Sequence, residues 1–236
     1  MQERGLSVVI PTLNEGSRIV GLLDYLFSRD TTGRLEVIVV DAEKSSDGIK
    51  ERVQSYKASY IKSNSNSRSA QMHEGARLSS RPLIAFLHAD VTPPQYFIES
   101  IEETLASGLD FGYFSYHFDK ASLLLRVNGW FTKFKGVFTG GGDQMLFMTK
   151  RTYEDSGGFD TTCQFMEDFE YHSRLVKGGY HFTIINRPAT VSARKYEKNS
   201  YLKVNLINLY TLLAFRLGKD PVKLKSTYGR LLGVKS

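Results

Sequence analysis

Ser7-Val8-Val9-Ile10-Pro11, near the start of the chain, is a run of apolar, mostly β-branched residues that a proline ends. A run of this kind predicts a short buried strand. The same pattern returns at Leu35–Val40, more weakly at Ser59–Ile61, and again at Leu83–Leu87. The first ninety residues therefore predict four strands.

Helical sequence separates these strands. Asn14-Glu15 opens a pattern of apolar residues spaced three and four apart, a second helical segment follows to about Tyr56, and a third covers Arg68–Leu78. Strands that alternate with helices predict an α/β fold, with a mainly parallel central sheet and helices on both faces. In such sheets, ligands bind beyond the carboxyl ends of the strands.

The second half of the chain is less regular. Phe111–Phe118 predicts an antiparallel strand, Leu123–Phe138 a helix, Gln144–Met148 a strand, and Asp168–Val176 a helix that Gly178 ends.

The 236 residues have ordinary globular composition, with 41% hydrophobic and 24% charged residues. Cys163 is the sole cysteine and cannot form an internal disulfide, which favours a reducing, cytoplasmic compartment. The apolar run near the N-terminus is too short for a secretory signal or a membrane span. We therefore expect neither.

Charge is distributed unevenly. Residues 187–236 hold 11 Lys/Arg against two acids, a net charge of +9, and residues 1–186 carry −3. We predict a catalytic domain over residues 1–200 and a basic, amphipathic helical extension over residues 201–236. The extension suits nucleic acid, anionic lipid or a phosphorylated substrate, or is simply a solvated face. Its aromatic residues do not interleave as base stacking requires, so we expect no nucleic acid.

Two acids follow strands of the predicted sheet, Asp41 after the second and Asp90 after the fourth. An aspartate there can accept hydrogen bonds from a nucleotide or hold a divalent cation. His88, two residues before Asp90, is either a second metal ligand or a structural turn residue.

Two further segments carry candidate chemistry. Glu167-Asp168 begins a helix, where acids complement the helix dipole, but a carboxylate there can also serve as a general base. The glycine loop ending at Gly142-Asp143-Gln144 permits close approach of the backbone to a ligand.

Several of these segments, taken in order, resemble glycosyltransferase family 2, which has the A-type nucleotide-diphospho-sugar transferase fold. The resemblance rests on Ser7–Glu15, on Val39–Asp41 with Ser45–Gly48, on Phe86–Asp90, and on Gly157–Phe159 with Glu167-Asp168. More narrowly, Arg68–Met72, Leu87–Val91, Gly142–Gln144 and Arg187–Arg194 resemble a microbial subgroup labelled radical-SAM/selenodomain-associated or arsenosugar-biosynthesis transferases.

The resemblance implies an inverting enzyme that moves a hexosyl group from a nucleotide-diphosphate sugar to a hydroxyl acceptor, with Mn²⁺ or Mg²⁺. Asp90 would hold the metal with His88, which replaces the family's usual first acid. Asp168 would be the base, with Glu167 beside it. The remaining donor-binding residues would be Pro11, Glu15, Asp41, Asp47, Arg68, Gly142, Asp143 and Gln144. Ala42-Glu43-Lys44 makes the nucleotide-binding segment one residue longer than the family's usual pattern.

Other enzyme classes lack their sequence signatures here. No G-x-G-x-x-G follows the first strand, no phosphate-binding P-loop is present, and no glycine-rich lysine loop of a nucleotidyltransferase occurs. The alternative is a catalytically inactive homologue that binds nucleotide sugars or serves as a membrane-associated scaffold.

The extension begins with the helical sequence of residues 201–217. Five leucines lie three or four residues apart in one stripe, which we call the leucine stripe: Leu202, Leu206, Leu209, Leu213 and Leu217. The helix either packs against the catalytic body or a second subunit, or lies in the interface of a membrane. Flanking lysines would favour anionic lipid: Lys195, Lys198, Lys203, Lys219, Lys223 and Lys225.

Overall fold

The computed structural model describes residues 5–197 and 199–233. Over these residues, the strands are β1 Leu6–Thr12, β2 Leu35–Asp41, β3 Ala58–Lys62, β4 Leu83–Phe86, β5 Val91–Thr92, β6 Phe111–Phe118, β7 Phe147–Thr149 and β8 Phe182–Val191.

The helices of the same described residues are α1 Gly16–Arg29, α2 Ile49–Gln54, α3 Arg68–Leu78, α4 Phe97–Ala106, α5 Leu123–Phe131, α6 Lys150–Asp155, α7 Glu167–Lys177, α8 Arg194–Glu197, α9 Tyr201–Arg216 and α10 Pro221–Leu232. A single 3₁₀ turn over Gly142–Gln144 precedes β7.

The described strands form one 8-stranded sheet in the order β3-β2-β1-β4-β7-β6-β8-β5. The pairs among β1 to β4 are parallel, as expected, and β6 is parallel to β8. Strand β7 is antiparallel to both β4 and β6, and β5 is antiparallel to β8. The sheet is therefore mixed, with a parallel half and a second half that joins it through β7.

Helices cover both faces, as predicted. One face buries the apolar sides of α1, α2 and α4, and the other buries those of α3, α6 and α7. Helix α3 lies very close to the sheet at Gly75, where an added Cβ would lie 2.4 Å from Val9 Cγ1. A larger residue at this position would push α3 away from β1.

Three predicted elements differ in the structure. Strand β6, which was predicted to be antiparallel, is antiparallel to β7 but parallel to β8. Helix α5 ends at Phe131 rather than Phe138. The next residue, Thr132, is bound to β6, because its hydroxyl accepts a hydrogen bond from Tyr116 N, 3.0 Å away. Strand β7 begins at Phe147, since the Gln144 side chain accepts from Gly140 N and holds the preceding residues in a 3₁₀ turn.

Helix α9 packs on the body, but through residues other than the leucine stripe. Its buried side includes Val204, Ile207 and Leu212, whereas the five leucines are 38% to 83% exposed. The leucine stripe is therefore not the packing face of α9, because the neighbouring elements contact the opposite side of the helix. Lys198 lies outside the described residues. No helix within residues 5–197 and 199–233 combines the length and apolar character needed to cross a bilayer.

Candidate functional site

The carboxyl ends of β1, β2 and β4 meet at one edge of the sheet. Strand β1 lies between the other two. The chain runs outward from β1 to β2 and β3 and then crosses back to β4 on the other side of β1, so the strand order reverses here and makes this edge a topological switch point. The Gln71 amide of α3 donates to Thr12 O at 2.9 Å and to Val40 O at 2.7 Å. Helix α3 is thereby fixed across the ends of two strands.

Asp41 lies at the floor of this edge and is 1% exposed. Its carboxylate accepts hydrogen bonds from Thr12 at 2.9 Å, Tyr60 at 3.1 Å and Lys62 at 3.1 Å. Burial, followed by the charge of Asp41, raises the pKa of Tyr60 to about 12. The Asp41 carboxylate is therefore held rigidly by the chain itself.

The start of α1 brings two more predicted residues to the edge. Asp47 accepts from the first helical N–H, Gly16 N, at 2.6 Å, where the helix dipole favours an anion. Glu15 forms ion pairs with Arg18 at 2.6 Å and with Arg194 at 3.1 Å. Pro11 is buried within β1.

His88, Asp90 and Asp143 form a cluster with the composition of a metal site. One ligand atom from each lies within 4.8 Å of the others. Burial, followed by the charges of Arg68 and Lys195, holds the pKa of His88 well below its usual value of 6.5. Its imidazole is therefore neutral near pH 7 and has a lone pair to offer, as metal ligation requires.

Asp143 joins the cluster from the 3₁₀ turn and was predicted only as a donor-binding residue. Burial is the main cause that raises its pKa above the usual 3.8. The preceding Gly142 leaves no room for a side chain, because a Cβ there would lie 2.1 Å from His88 Cε1 and 2.5 Å from Asp168 Oδ2. Glycine at this position is what lets the turn approach both side chains.

Asp168 faces this cluster from the first turn of α7. Burial, followed by the charge of Glu167, raises its pKa from 3.8 to about 8, although Arg68 and the N–H of Gly142 act in the opposite direction. The neighbouring Glu167 side chain is 2% exposed and is paired with Arg68. Among the residues that the structure describes, Asp168 forms no ion pair with an arginine, whereas Glu167 fixes Arg68 in place.

Arg194 is a site residue that sequence reasoning missed. Its guanidinium lies 3.1 Å from Glu15 Oε1 and 3.1 Å from Asp90 Oδ2, so it bridges the start of α1 and the cluster of His88, Asp90 and Asp143. It follows β8, whose end is held to the same edge by a hydrogen bond from Ser192 N to Asp90 O. The Arg187–Arg194 segment was singled out in the sequence. Because no strand was predicted there, its end could not be placed at the edge of the sheet.

The edge therefore gathers most of the predicted residues, but Gln144 has a different environment. It is 2% exposed, its side-chain oxygen accepts from Gly140 N, and its amide donates to Thr132 O. Its contacts within the chain support the glycine loop.

A family model for glycosyl transferase family 2 matches residues 7–171, which include the carboxyl ends of β1, β2 and β4. The chain belongs to glycosyl transferase family 2. The family resemblance is thus confirmed, while the narrower microbial subgroup stays a prediction. A comparison with curated proteins finds no match.

Solved structures show the same fold. The mannosyltransferase PcManGT from Pyrobaculum calidifontis, in complex with GDP-Man and Mn²⁺, superposes with a TM-score of 0.68 at 16% identity, over 93% of this chain and 65% of that chain. Residues 1–349 of TarS from S. aureus, in complex with UDP-GlcNAc, superpose with a TM-score of 0.65 at 14% identity, over 97% of this chain and 70% of that one. The family 2 chain described here thus spans less than two thirds of the mannosyltransferase structure.

Proposed function

We propose that this family 2 protein is an inverting, divalent-cation-dependent transferase that moves a hexosyl group from a nucleotide-diphosphate sugar to a hydroxyl acceptor. The observation that carries the proposal is the convergence of a neutral imidazole, two carboxylates and a separate high-pKa carboxylate at the switch point of the sheet. The structural neighbours solved with GDP-Man and UDP-GlcNAc support the donor class.

The residues of the cluster fit a divalent cation. An imidazole nitrogen and two carboxylate oxygens are the ligand types that Mn²⁺ accepts, and the 4.8 Å limit on their separation suits a shared ion. His88, Asp90 and Asp143 would hold the ion. When bound, it would neutralise the charge that develops on the departing diphosphate.

The charged side chains around the cluster support a phosphate subsite. Arg68 is anchored by Glu167, and Arg194 by Glu15 and Asp90, so both guanidiniums are already oriented before a donor arrives. A planar guanidinium binds phosphate oxygens with two hydrogen bonds. We assign Arg68 and Arg194 to the diphosphate, and Asp41, Asp47, Pro11 and Glu15 to the nucleotide pocket.

Asp168 is the proposed general base. The acceptor oxygen attacks the anomeric carbon while the bond from that carbon to the diphosphate oxygen breaks, which inverts the configuration. The acceptor proton passes to the Asp168 carboxylate. A pKa near 8 suits this role, because a base is most effective when its pKa lies near the working pH.

The alternative of an inactive nucleotide-sugar-binding scaffold makes one different prediction, which is that donor binds but never reacts. We also propose membership of the radical-SAM-associated subgroup, which rests on the resemblance of Arg68–Met72, Leu87–Val91, Gly142–Gln144 and Arg187–Arg194.

A thermal-shift panel of UDP-, GDP-, ADP- and dTDP-sugars tests the function, with Mn²⁺, Mg²⁺ or EDTA. A donor at about 100 times its Kd should stabilise the protein by about 2.7 kcal/mol, and only when a cation is present. Asp90→Ala should remove this cation-dependent shift and abolish turnover. The matched control is Asp155→Ala, which alters an exposed acid on α6 that pairs with Arg151.

Two results would contradict the proposal. Donor binding that is equal in EDTA, or unchanged in Asp90→Ala, would show that the cation site is wrongly assigned. A donor that binds with the cation, yet is neither hydrolysed nor transferred over a long incubation, would identify a scaffold instead of an enzyme.

A further inference from the structure

One surface of the molecule is strongly apolar yet exposed to solvent. On α5, the exposed side chains are Leu123, Leu124, Val127, Trp130 and Phe131, and the loop that follows exposes Phe134, Val137 and Phe138. Helix α9 exposes the leucine stripe. We call the exposed apolar face formed by α5, residues 132–138 and the leucine stripe the apolar platform.

The two helices of the platform are joined edge to edge. Asn128 of α5 donates to Asn205 of α9 at 2.9 Å. Asn205 lies three residues after Leu202 and four before Leu209, and Asn128 lies four after Leu124 and three before Phe131. Residues at these spacings are neighbours on a helix surface, so each asparagine borders the exposed face of its own helix.

The loop of the platform is attached in the same way. Arg216, near the end of α9, donates to Val137 O at 2.8 Å. The exposed faces of α5, the loop and α9 therefore form one continuous surface instead of separate exposed side chains. Contiguous apolar surfaces of this kind mark sites of interaction with a protein or a membrane.

The charges on the platform are all of one sign. Residues 121–138 and 199–219 contain six Lys/Arg and no Asp or Glu: Arg126, Lys133, Lys135, Lys203, Arg216 and Lys219. All six are exposed, and none forms an ion pair with a carboxylate in the part of the chain that the structure describes. Cations that surround an apolar, aromatic face complement an anionic lipid surface.

A second copy of the chain fits the platform less well. In a symmetric dimer the same patch meets itself, which would bring six cations against six cations. Like charges brought together across an interface oppose association. We therefore propose that the apolar platform docks this protein on the surface of an anionic lipid bilayer, with its aromatic and leucine side chains in the interfacial layer.

The platform also lies near the carboxyl ends of β1, β2 and β4, which we call the catalytic edge because the proposed transferase site lies there. A groove of about 250 Å³ runs beneath Phe131, Phe134 and Phe138 and reaches Gln144, the residue next to Asp143 of the metal cluster. If the transferase function proposed above is right, the site would receive its acceptor close to the bilayer. The docking itself does not depend on that function, because the platform shares no residue with the metal cluster.

Trp130 provides a direct probe, since it is the sole tryptophan of the chain and is 52% exposed on the platform. The full chain is titrated with vesicles of phosphatidylglycerol and phosphatidylcholine, and with vesicles of phosphatidylcholine alone. Phosphatidylglycerol vesicles should shift the tryptophan emission to the blue and sediment the protein. High salt should release it, because salt screens the attraction.

The decisive variant is Phe134→Ser with Leu206→Ser, two exposed positions on different parts of the platform. It should weaken binding to vesicles by at least about tenfold, since each large apolar side chain removed from water contributes strongly to association. The matched control, Leu78→Ser with Val176→Ser, removes two apolar side chains of comparable exposure from α3 and α7. It should bind vesicles as the parent does. Circular dichroism and cation-dependent donor binding check that both variants are folded.

Three results would overturn the proposal: no binding to anionic vesicles, equal binding to neutral vesicles, or binding that the platform variant leaves intact. A dimer at micromolar concentration that the platform variant dissociates would also overturn it, and would assign the surface to a second copy. Failure of the donor-binding test with intact vesicle binding would contradict only the proposed transferase function.

Discussion

The catalytic edge and the apolar platform lie on the same protein but differ in whether their cations are paired with acids of the chain. At the edge, cations and acids alternate: Arg194 lies between Glu15 and Asp90, and Arg68 is paired with Glu167. On the platform, six cations surround apolar side chains without any acid. Charges that are neutralised within the chain stabilise the arrangement of a site, whereas cations that are not neutralised by a carboxylate of the chain are available to anions outside it.

The comparison also concerns burial. The edge places ionisable groups where water is scarce, and their pKa values shift accordingly, as for His88 and Asp168. The platform keeps its cations in water and exposes apolar side chains instead. Such a division is expected if the edge carries out chemistry on a small ligand and the platform meets a large surface.

The largest effect is expected at Asp168. Asp168→Asn should reduce transfer by at least about two orders of magnitude, the scale of a general base, without loss of donor binding. For the parent enzyme, kcat/KM should rise with pH up to about pH 8, because the base must lose its proton to act. Glu170→Gln, a change of a nearby acid on the same helix that pairs with Arg174, is the control.

For the same variant, Asp168→Asn, we expect the opposite effect on stability, which is a gain. Because its pKa is raised from 3.8 to about 8, folded Asp168 retains a proton that the unfolded chain has released throughout this range. The parent protein therefore loses stability as the pH rises through that window. Asp168→Asn should melt at a higher temperature than the parent at pH 8, with a smaller difference at pH 5. A variant that is inactive and also less stable at pH 8 would indicate a structural role for this carboxylate.

An intermediate effect is expected at Arg68. Glu167 is 2% exposed, and Arg68→Gln would leave its carboxylate buried without a cation, although Arg68 itself is 44% exposed. The free energy of unfolding should fall by roughly 1 to 3 kcal/mol, less than for a fully buried pair. Chemical denaturation measures it. Restoring a neutral partner with Glu167→Gln in the same chain should recover part of the loss, and no recovery would rule out the pairing as its cause.

The smallest effect is expected on the platform. Lys133→Gln combined with Lys203→Gln should change the free energy of unfolding by less than about 0.5 kcal/mol, since neither lysine has an acidic partner among the described residues. Donor transfer to a small soluble acceptor should also be unchanged. A clear loss of stability would mean that the platform's charges do stabilise the fold, and the contrast with the catalytic edge would disappear.

The parallel half of the sheet could be predicted because its strands are short apolar runs that helical segments separate. The positions of Asp41 and Asp90 followed, since residues after parallel strands meet at one edge. The other half could not be predicted in this way. Strand β8 runs from Phe182 to Val191 and includes Asn186, Arg187 and Pro188, so its sequence lacks an apolar pattern.

The missed strand had a consequence for the site. Arg194 reaches Asp90 only because β8 pairs with β5, which places the end of β8 at the catalytic edge. Asp143 likewise joins His88 because Gly142 permits a contact that no local pattern reveals. Both contacts link residues far apart in the chain, and their formation depends on how the strands pair.

Helix α9 shows the limit of periodicity. The sequence predicted a helix over residues 201–217, close to the observed Tyr201–Arg216, and apolar side chains over most of its surface, since both follow from spacing along the chain. It did not determine which side is buried, because leucines and their neighbours are apolar almost all the way round. The tertiary structure decided this: the hydrogen bonds of Asn205 with Asn128 and of Arg216 with Val137 orient the helix, and its leucine stripe faces solvent.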